Sequence, residues 1–247
     1  MRSSVRPSLP TGHLTGSASS RPDRSGPSAA ERRRRRRTAA LFRFDRELGA
    51  RFVAGADEAG RGSLAGPLVA AAVLFDYERL SRSDRLALGG LDDSKQKTEP
   101  DRERLFPVVL RVAAAVAVAV RSVREIDSRG LHLTNLSSLG DCLERVAVPG
   151  AICLSDGFRL PTCKVEHRAV IDGDATSAAI AASSVIAKVT RDRYMRRAAA
   201  EFPLWDFAGN VGYSTPGHRA AIAEHGICEL HRTSFRSNAY SQLGLEC

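Results

Sequence analysis

Three groups of acidic residues follow short apolar segments of the chain: Asp57-Glu58, Asp156, and the pair Asp172 and Asp174. In open α/β sheets ligands bind where strands end, so these side chains would meet if their strands are neighbours. Carboxylates at close range repel one another, and a divalent cation that prefers oxygen ligands, Mg²⁺ or Mn²⁺, relieves the repulsion. Two such ions about 4 Å apart can activate a water and stabilise the leaving oxygen of a phosphodiester. The acids therefore predict a metal-dependent enzyme that hydrolyses phosphodiesters.

Each acid also has a purely structural interpretation, which the sequence leaves open. Asp156 stands before a glycine and can belong to a simple turn. Asp174 stands before a helical segment and can be its N-cap. Asp57 and Glu58 are adjacent, so in a regular strand they face opposite sides of the sheet. Both line one site only if the strand ends or bulges between them, which Gly60 would permit.

Hydrophobic periodicity predicts the elements that would position these acids. Strands are predicted at residues 51–57, 67–75, 112–121, 151–155 and 169–171, and helices at residues 38–50, 98–110, 133–146 and 175–201. Pro107 is expected to end or kink the second helix. The first two strands are too close in sequence for a helical crossover, so the first three are expected to be antiparallel neighbours. The later alternation of strand and helix then predicts one α/β domain with a mixed sheet.

The positive charge of the chain is concentrated at its N-terminus. Residues 1–37 hold ten arginines and two acids, so they carry +8 of the formal net charge of +9. Because this segment is rich in Ser, Pro, Gly and Arg, it is predicted to be a disordered tail, either simply solvated or in weak contact with nucleic-acid phosphates. Residues 38–247 are predicted to form one domain, whose last part, from about residue 202, is loop and helix.

The composition also argues against several broad classes of protein. The longest apolar run, residues 112–120, is much shorter than the roughly 20 residues of a membrane helix, and the N-terminus lacks the apolar region of a secretory signal. The five cysteines are scattered without a C-x-x-C spacing, so we expect reduced thiols and no zinc site. These features predict a cytoplasmic protein that does not bind membranes.

Seven motifs, in order, resemble those of type 2 ribonuclease H, the ribonuclease HII family. The longest is GADEAGRGSLAGPLVAAAVL at residues 55–74, which resembles the family signature. The others are GLDDSK (90–95), EID (125–127), SDG (155–157), GDATSAAIAASSVIAKVTRDRYM (173–195), VGYSTPGH (211–218) and HRTSF (231–235). The resemblance covers residues 52–235 and implies an RNase H-like mixed five-stranded sheet flanked by helices, with a small C-terminal helical part.

The resemblance implies an endonuclease that cuts the RNA strand of RNA–DNA hybrids and cuts 5′ to single ribonucleotides embedded in duplex DNA. The products would carry 3′-hydroxyl and 5′-phosphate ends, and the protein would act as a monomer with Mg²⁺ or Mn²⁺. The implied catalytic and metal-binding carboxylates are Asp57, Glu58, Asp156 and Asp174. The implied substrate-binding residues are Gly60, Arg61, Gly62, Ser94, Lys95, Ser184, Lys188 and Tyr213. The Gly-Arg-Gly backbone would read the ribonucleotide's 2′-hydroxyl, and Tyr213 would stack on the deoxyribose beyond it.

Two residues depart from the family pattern. Asp172 stands where a lysine is usual, which leaves open whether it or Asp174 coordinates metal, although Asp174 is the motif position. Val211 replaces a frequent lysine before the Gly-Tyr pair. Arg191 and its neighbour Asp192 are expected to form ion pairs. Two alternatives remain: the related type 3 ribonuclease H, against which the pairing of Gly-Arg-Gly with Gly-Tyr argues, and a hybrid-binding protein that has lost catalysis through the two departures.

Overall fold

A computed structural model of the chain describes residues 28–91 and 98–235, and its centre is a five-stranded sheet. The strands are β1 (Phe52–Ala59), β2 (Leu68–Asp76), β3 (Ala115–Arg121), β4 (Ile152–Asp156) and β5 (His167–Val170). They lie in the order β3-β2-β1-β4-β5. β1, β2 and β3 are antiparallel neighbours, whereas β4 is parallel to β1 and β5 is parallel to β4. The predicted mixed sheet and its antiparallel first three strands are confirmed.

Helices cover both faces of this sheet. Within the described residues they are α1 (Ala29–Glu47), α2 (Arg82–Ala87), α3 (Glu99–Val112), α4 (Val123–Arg129), α5 (Leu131–Val146), α6 (Ala178–Ala198), α7 (Phe207–Asn210) and α8 (Pro216–His225). α6 packs on β1 and β2, with α1 and α3 beside it, and α5 packs on the other face. None of the described helices is long and apolar enough to cross a membrane.

The interior strand β2 is buried along its whole length because both of its faces are covered by helices. Val69, Val73 and Phe75 belong to the core on the α6 side, whereas Ala70 and Leu74 belong to the core on the α5 side. This double burial explains why the segment reads as one continuous apolar run rather than an alternation. The sheet centre and α6 together hold the strand ends that carry the acids.

The contact between β1 and α6 is closest at Gly55. A Cβ at this position would lie 2.3 Å from the backbone nitrogen of Ile180 and 2.4 Å from the carbonyl carbon of Ala179. Neither backbone atom can rotate away, so the helix would have to move off the sheet.

We therefore expect Gly55→Ala to lower the free energy of unfolding by about 3 kcal/mol or more. Urea titration followed by circular dichroism measures this change. The control is Gly217→Ala in α8, where a Cβ would meet no atom within 4 Å and helix propensity favours alanine. Equal unfolding midpoints for the two variants would contradict the close contact.

One predicted boundary is wrong, and one helix does not end at its proline. α1 begins at Ala29, so residues 29–37 belong to a helix rather than to the disordered tail, whose residues 1–27 lie outside the described residues. Ser28 caps this helix by accepting a hydrogen bond from the Glu31 N–H, and arginine is a good helix former. α3 continues past Pro107 to Val112, because the helix is held on both sides of the proline by buried side chains, those of Leu105 and Val109.

Candidate active site

The first acids lie where the parallel pairing of β1 and β4 ends. The last pair between the two strands is Ala56 and Ser155, and Asp57 and Asp156 are the next residues on each strand. β1 neither ends nor bulges there, because its pairing with β2 continues in register through Glu58. The strand therefore shows neither the end nor the bulge that the sequence analysis required for both acids to line one site, and their joint role stays a prediction. Both acids lie beyond the last pair with β4, where that edge of β1 is no longer covered by its neighbour.

Like-charged neighbours act on Asp57, which is only 6% exposed. Burial raises the pKa of the Asp57 carboxyl well above its usual range, and the charges of Glu58 and Asp156 raise that pKa further. Hydrogen bonds from the Ser184 side chain and from the Glu58 backbone N–H act in the opposite direction. Three of the four predicted acids are therefore close enough for their charges to destabilise one another.

Asp174 lies in a 3₁₀ turn at Gly173–Ala175, next to the end of β4. The N–H of Gly173 donates to Oδ1 of Asp156 at 2.7 Å, which ties this turn to the end of β4. The side chain that caps α6 belongs to Ser177, so the N-cap interpretation of Asp174 is wrong. Asp174 is buried and Asp172 is exposed, with a left-handed φ of 49°. The burial favours Asp174 over Asp172 as the residue that faces the other acids.

The chemistry of this donor set fits a hard divalent cation. Every predicted ligand is a carboxylate, and the repulsion felt by Asp57 is the kind that such a cation relieves. As the side chains stand, however, no group of three His, Cys, Asp or Glu residues within 28–91 and 98–235 is arranged to hold a metal ion. The metal site therefore stays a prediction.

The Gly-Arg-Gly turn follows β1 directly. Gly60 has a φ of +88°, and a Cβ there would lie 1.9 Å from Nε of Arg191, so only glycine fits without a shift of that side chain. A Cβ on Gly62 would meet no atom within 4 Å, so its backbone is open to a ligand. The Arg61 guanidinium lies 4.5 Å from the ring centroid of Phe158, which places the turn beside the segment that follows β4.

Arg191 of α6 joins this region to the Gly-Tyr segment. Its side chain is fully buried and donates to the carbonyl oxygens of Ala65, Pro67 and Val211 at 2.8–2.9 Å and to the hydroxyl of Ser63 at 2.7 Å. The expectation of ion pairing is wrong for Arg191, because its donors are directed at backbone carbonyls and a hydroxyl, but it is confirmed for Asp192, which pairs with Arg102 and Lys188. Arg191 thus fixes two loops that are far apart in sequence against each other.

The same helix carries two of the predicted substrate-binding residues towards Tyr213. Ser184 is buried and hydrogen-bonded to Asp57, and Lys188 lies one helical turn further along. The Lys188 ammonium lies 4.7 Å from the Tyr213 ring centroid and 2.9 Å from Oδ1 of Asp192. α6 therefore connects the acids to the aromatic ring. The two other predicted residues of this kind lie outside the described residues: Ser94 and Lys95.

Sequence reasoning missed a histidine pair that supports Tyr213. The Cys228 backbone N–H donates to Nδ1 of His231 at 3.0 Å, so a neutral His231 carries its proton on Nε2. This Nε2–H donates to Nε2 of His218, and the two nitrogens are 3.1 Å apart. Nδ1 of His218 in turn donates to the Tyr213 carbonyl at 2.9 Å. His218 lies in the sixth of the seven motifs and His231 in the seventh. The chain has only six histidines, so the placement of two of them in these motifs is the signal that could have identified the pair.

This pair should make stability depend on pH. Burial lowers the pKa of His231 to about 4 and also lowers the pKa of His218. Because the unfolded histidines take up protons first, stability is fully present above about pH 6.5 and falls as pH decreases from there to about 4. We expect His231 to account for roughly 2–3 kcal/mol of this loss. The measurement is urea unfolding at several pH values, with His231→Gln as the reference; equal slopes for both proteins would contradict the assignment.

The sequence matches a known protein family. The family model described as Ribonuclease HII matches residues 54–238. A ribonuclease HII of Mycobacterium sp. (strain KMS) is 47% identical over 183 residues, which is 74% of each chain. A ribonuclease HII of Mycobacterium avium (strain 104) is 48% identical over 183 residues, which is 74% of this chain and 77% of the relative.

Solved structures of ribonucleases H have the same fold as this chain. The ribonuclease H2 of Pyrococcus horikoshii OT3 superimposes with a TM-score of 0.66 at 25% identity, over 78% of this chain and 98% of that one. A ribonuclease HIII named Bst-RNase HIII, solved in complex with Mn²⁺, gives a TM-score of 0.63 at 20% identity, over 82% of this chain and 72% of that one. The second likeness concerns the fold alone.

Proposed function

The chain belongs to the ribonuclease HII family, and from this premise we propose that it cuts 5′ to single ribonucleotides embedded in duplex DNA. Membership in the family makes it a ribonuclease H-type endonuclease that acts on RNA–DNA hybrids. The observation that supports the finer specificity is the Arg191 clamp, which holds the segment after the Gly-Arg-Gly turn against the Val211 carbonyl, two residues before Tyr213. A backbone that can approach a 2′-hydroxyl and a ring that can pack on a deoxyribose are thereby held near the same acids.

We propose that Asp57, Glu58, Asp156 and Asp174 hold Mg²⁺ or Mn²⁺. The burial of Asp57 and Asp174, and the repulsion of Asp57 by the charges of Glu58 and Asp156, support the proposal. When bound, two such cations supply a water that is nucleophilic near neutral pH and stabilise negative charge on the leaving 3′-oxygen. The expected products are a 3′-hydroxyl and a 5′-phosphate.

The surrounding residues orient these acids and the substrate. Ser184 holds the Asp57 side chain by a hydrogen bond, and the Gly173 N–H holds Oδ1 of Asp156. Lys188 places a positive charge beside the Tyr213 ring, where a phosphate of the bound strand would be attracted. The protein therefore contributes position and charge rather than a covalent intermediate.

The test is cleavage of a DNA duplex that contains one ribonucleotide, with Mg²⁺, with Mn²⁺ and with chelator. We expect metal-dependent cutting 5′ to the ribonucleotide, no cutting of an all-DNA duplex, and loss of activity in Asp174→Asn. The matched control is Asp172→Asn, two residues away and exposed, which should keep its activity. Binding without cutting under either metal would instead support the hybrid-binding alternative, and equal loss in both variants would leave the choice of Asp174 without support.

We also propose that the protein acts as a monomer in the cytoplasm. The expectation rests on the family resemblance and on scattered cysteines without a metal-binding spacing. Sedimentation of the purified chain with and without duplex measures its oligomeric state. A stable dimer in the absence of nucleic acid would contradict the proposal.

A further inference from the structure

A cavity of about 850 Å³ lies between α1, α2 and the first half of α3, on a part of the molecule that the predicted site does not use. Seven arginines line it: four on α1, two on α2, and Arg104 of α3. The acids of the lining are Glu31 and Glu47 of α1, so its net charge is +5. Phe42 and Leu86 contribute apolar surface. We call this cavity the arginine groove.

Part of the groove is held in shape by hydrogen bonds. Arg34 pairs with Asp101 at 2.7 Å, Arg104 donates to the Gly89 carbonyl at 2.9 Å, and Arg85 donates to a carbonyl of the chain before α2. Other arginines of the groove are exposed to solvent: Arg46 and Arg82, together with Arg35 and Arg43, which form exposed ion pairs with Glu31 and Glu47 one helical turn away. The groove therefore combines a fixed wall with guanidinium groups that a ligand can reach.

The wall of the groove leads into a predicted substrate-binding loop. The Thr38 hydroxyl donates to the Leu91 carbonyl and accepts from the Gly90 N–H, both at 2.9 Å. The Arg34 guanidinium fills the space that a side chain at residue 90 would need, 2.2 Å from the ideal Cβ position. Leu91 directly precedes the segment that contains Ser94 and Lys95. Gly90 and Leu91, which the wall of the groove contacts, therefore lead directly into the segment that contains Ser94 and Lys95.

We propose that the arginine groove binds the sugar-phosphate backbone of the duplex outside the stretch held at the carboxylates. The proposal rests on the proposed function in that its ligand is the substrate duplex. A double helix presents one negative charge about every 1.7 Å, which complements the groove's net charge of +5. Guanidinium groups pair with phosphate oxygens more specifically than ammonium groups do. The resulting footprint is longer than the active site alone would give.

The test compares two triple variants that remove the same charge. The groove variant is Arg35→Gln, Arg43→Gln and Arg82→Gln. The control variant is Arg79→Gln, Arg145→Gln and Arg168→Gln; these exposed arginines follow β2, precede β4 or lie on the edge strand β5, and none of them lines the groove. Binding to a hybrid of about 24 base pairs and to one of about 8 is measured by fluorescence anisotropy in chelator, at salt concentrations from about 50 to 200 mM.

The groove variant should bind the long duplex about tenfold more weakly, or worse, at low salt. Its log–log salt slope should fall by about 0.9 for each phosphate that the groove no longer neutralises, and the deficit should shrink on the short duplex. Equal weakening in both triple variants would overturn the proposal, because the loss of affinity would then depend on the number of arginines removed and not on their position. A groove variant that binds the duplex normally but no longer binds poly-glutamate would also overturn the proposal, and it would indicate that the groove binds an acidic protein partner. Because no cleavage is measured, a failure of the proposed function would not affect this result.

Discussion

Asp57→Asn should reduce kcat on an RNA–DNA hybrid by about 10³-fold or more, because it removes a proposed metal ligand at the centre of the acids. The same substitution should raise the free energy of unfolding in chelator. The reason is that a buried charge is removed from beside Glu58 and Asp156, whose charges raise its pKa. Single-turnover cleavage and urea unfolding measure the two effects.

The control for this prediction is Asp45→Asn. Asp45 is also fully buried, and burial raises its pKa to about 6, but it accepts hydrogen bonds from the Ala179 N–H at 3.0 Å and the Tyr77 hydroxyl at 2.7 Å. Its replacement should lower stability by about 1 kcal/mol and leave kcat nearly unchanged. A near-normal kcat for Asp57→Asn would remove Asp57 from the reaction, and a decrease in the stability of that variant would contradict the repulsion.

Arg191→Met should be the most destabilising single change at the site. Methionine keeps much of the side-chain length but leaves three buried carbonyls and the Ser63 hydroxyl without this donor. Unsatisfied buried polar groups cost roughly 1–3 kcal/mol each and are not additive, so we expect a decrease of about 4 kcal/mol in the free energy of unfolding. Urea titration of the purified variant measures this decrease.

Arg193→Met, two residues further along α6, is the matched control. Arg193 is exposed and pairs with Glu103 on the surface, where ion pairs contribute about 1 kcal/mol or less. Arg191→Lys separates charge from geometry, because lysine keeps the charge but cannot reach four acceptors at once. If Arg191→Lys were as stable as the parent chain, the buried charge would matter and the clamp geometry would not.

Much of the fold was predictable because its strongest signals are local. The continuous apolar run of β2 and the short connection between β1 and β2 determined the burial and direction of these strands. The start of α1 was not predictable, because an arginine run reads as disorder until its partners are known. Those partners, Asp101 and the Leu91 carbonyl, lie 67 and 53 residues from the α1 residues that they contact.

The candidate site likewise contains some features that the sequence could predict and others that it could not. The acids stand out in the sequence by their positions at the ends of apolar segments, and the Gly-Arg-Gly turn stands out by its glycines. The role of Arg191 could not be predicted, because three of its acceptors are backbone carbonyls, which every sequence contains, and two of these lie more than 120 residues away. The same holds for the His218–His231 contact, whose meaning depends on which ring nitrogen faces which neighbour.

The hydrogen bond between Asp45 and the Ala179 N–H spans 134 residues, and it has a consequence for synthesis on the ribosome. β1 emerges early, but its neighbour β4 and the helix α6 that covers it are translated about 100 residues later. Until α6 has left the exit tunnel, the apolar face of β1 and β2 is only partly covered, and Asp45 has the Tyr77 hydroxyl but not the Ala179 N–H as a hydrogen-bond donor. The nascent chain therefore completes its core only near the end of translation, and a chain truncated before α6 exposes an aggregation-prone sheet.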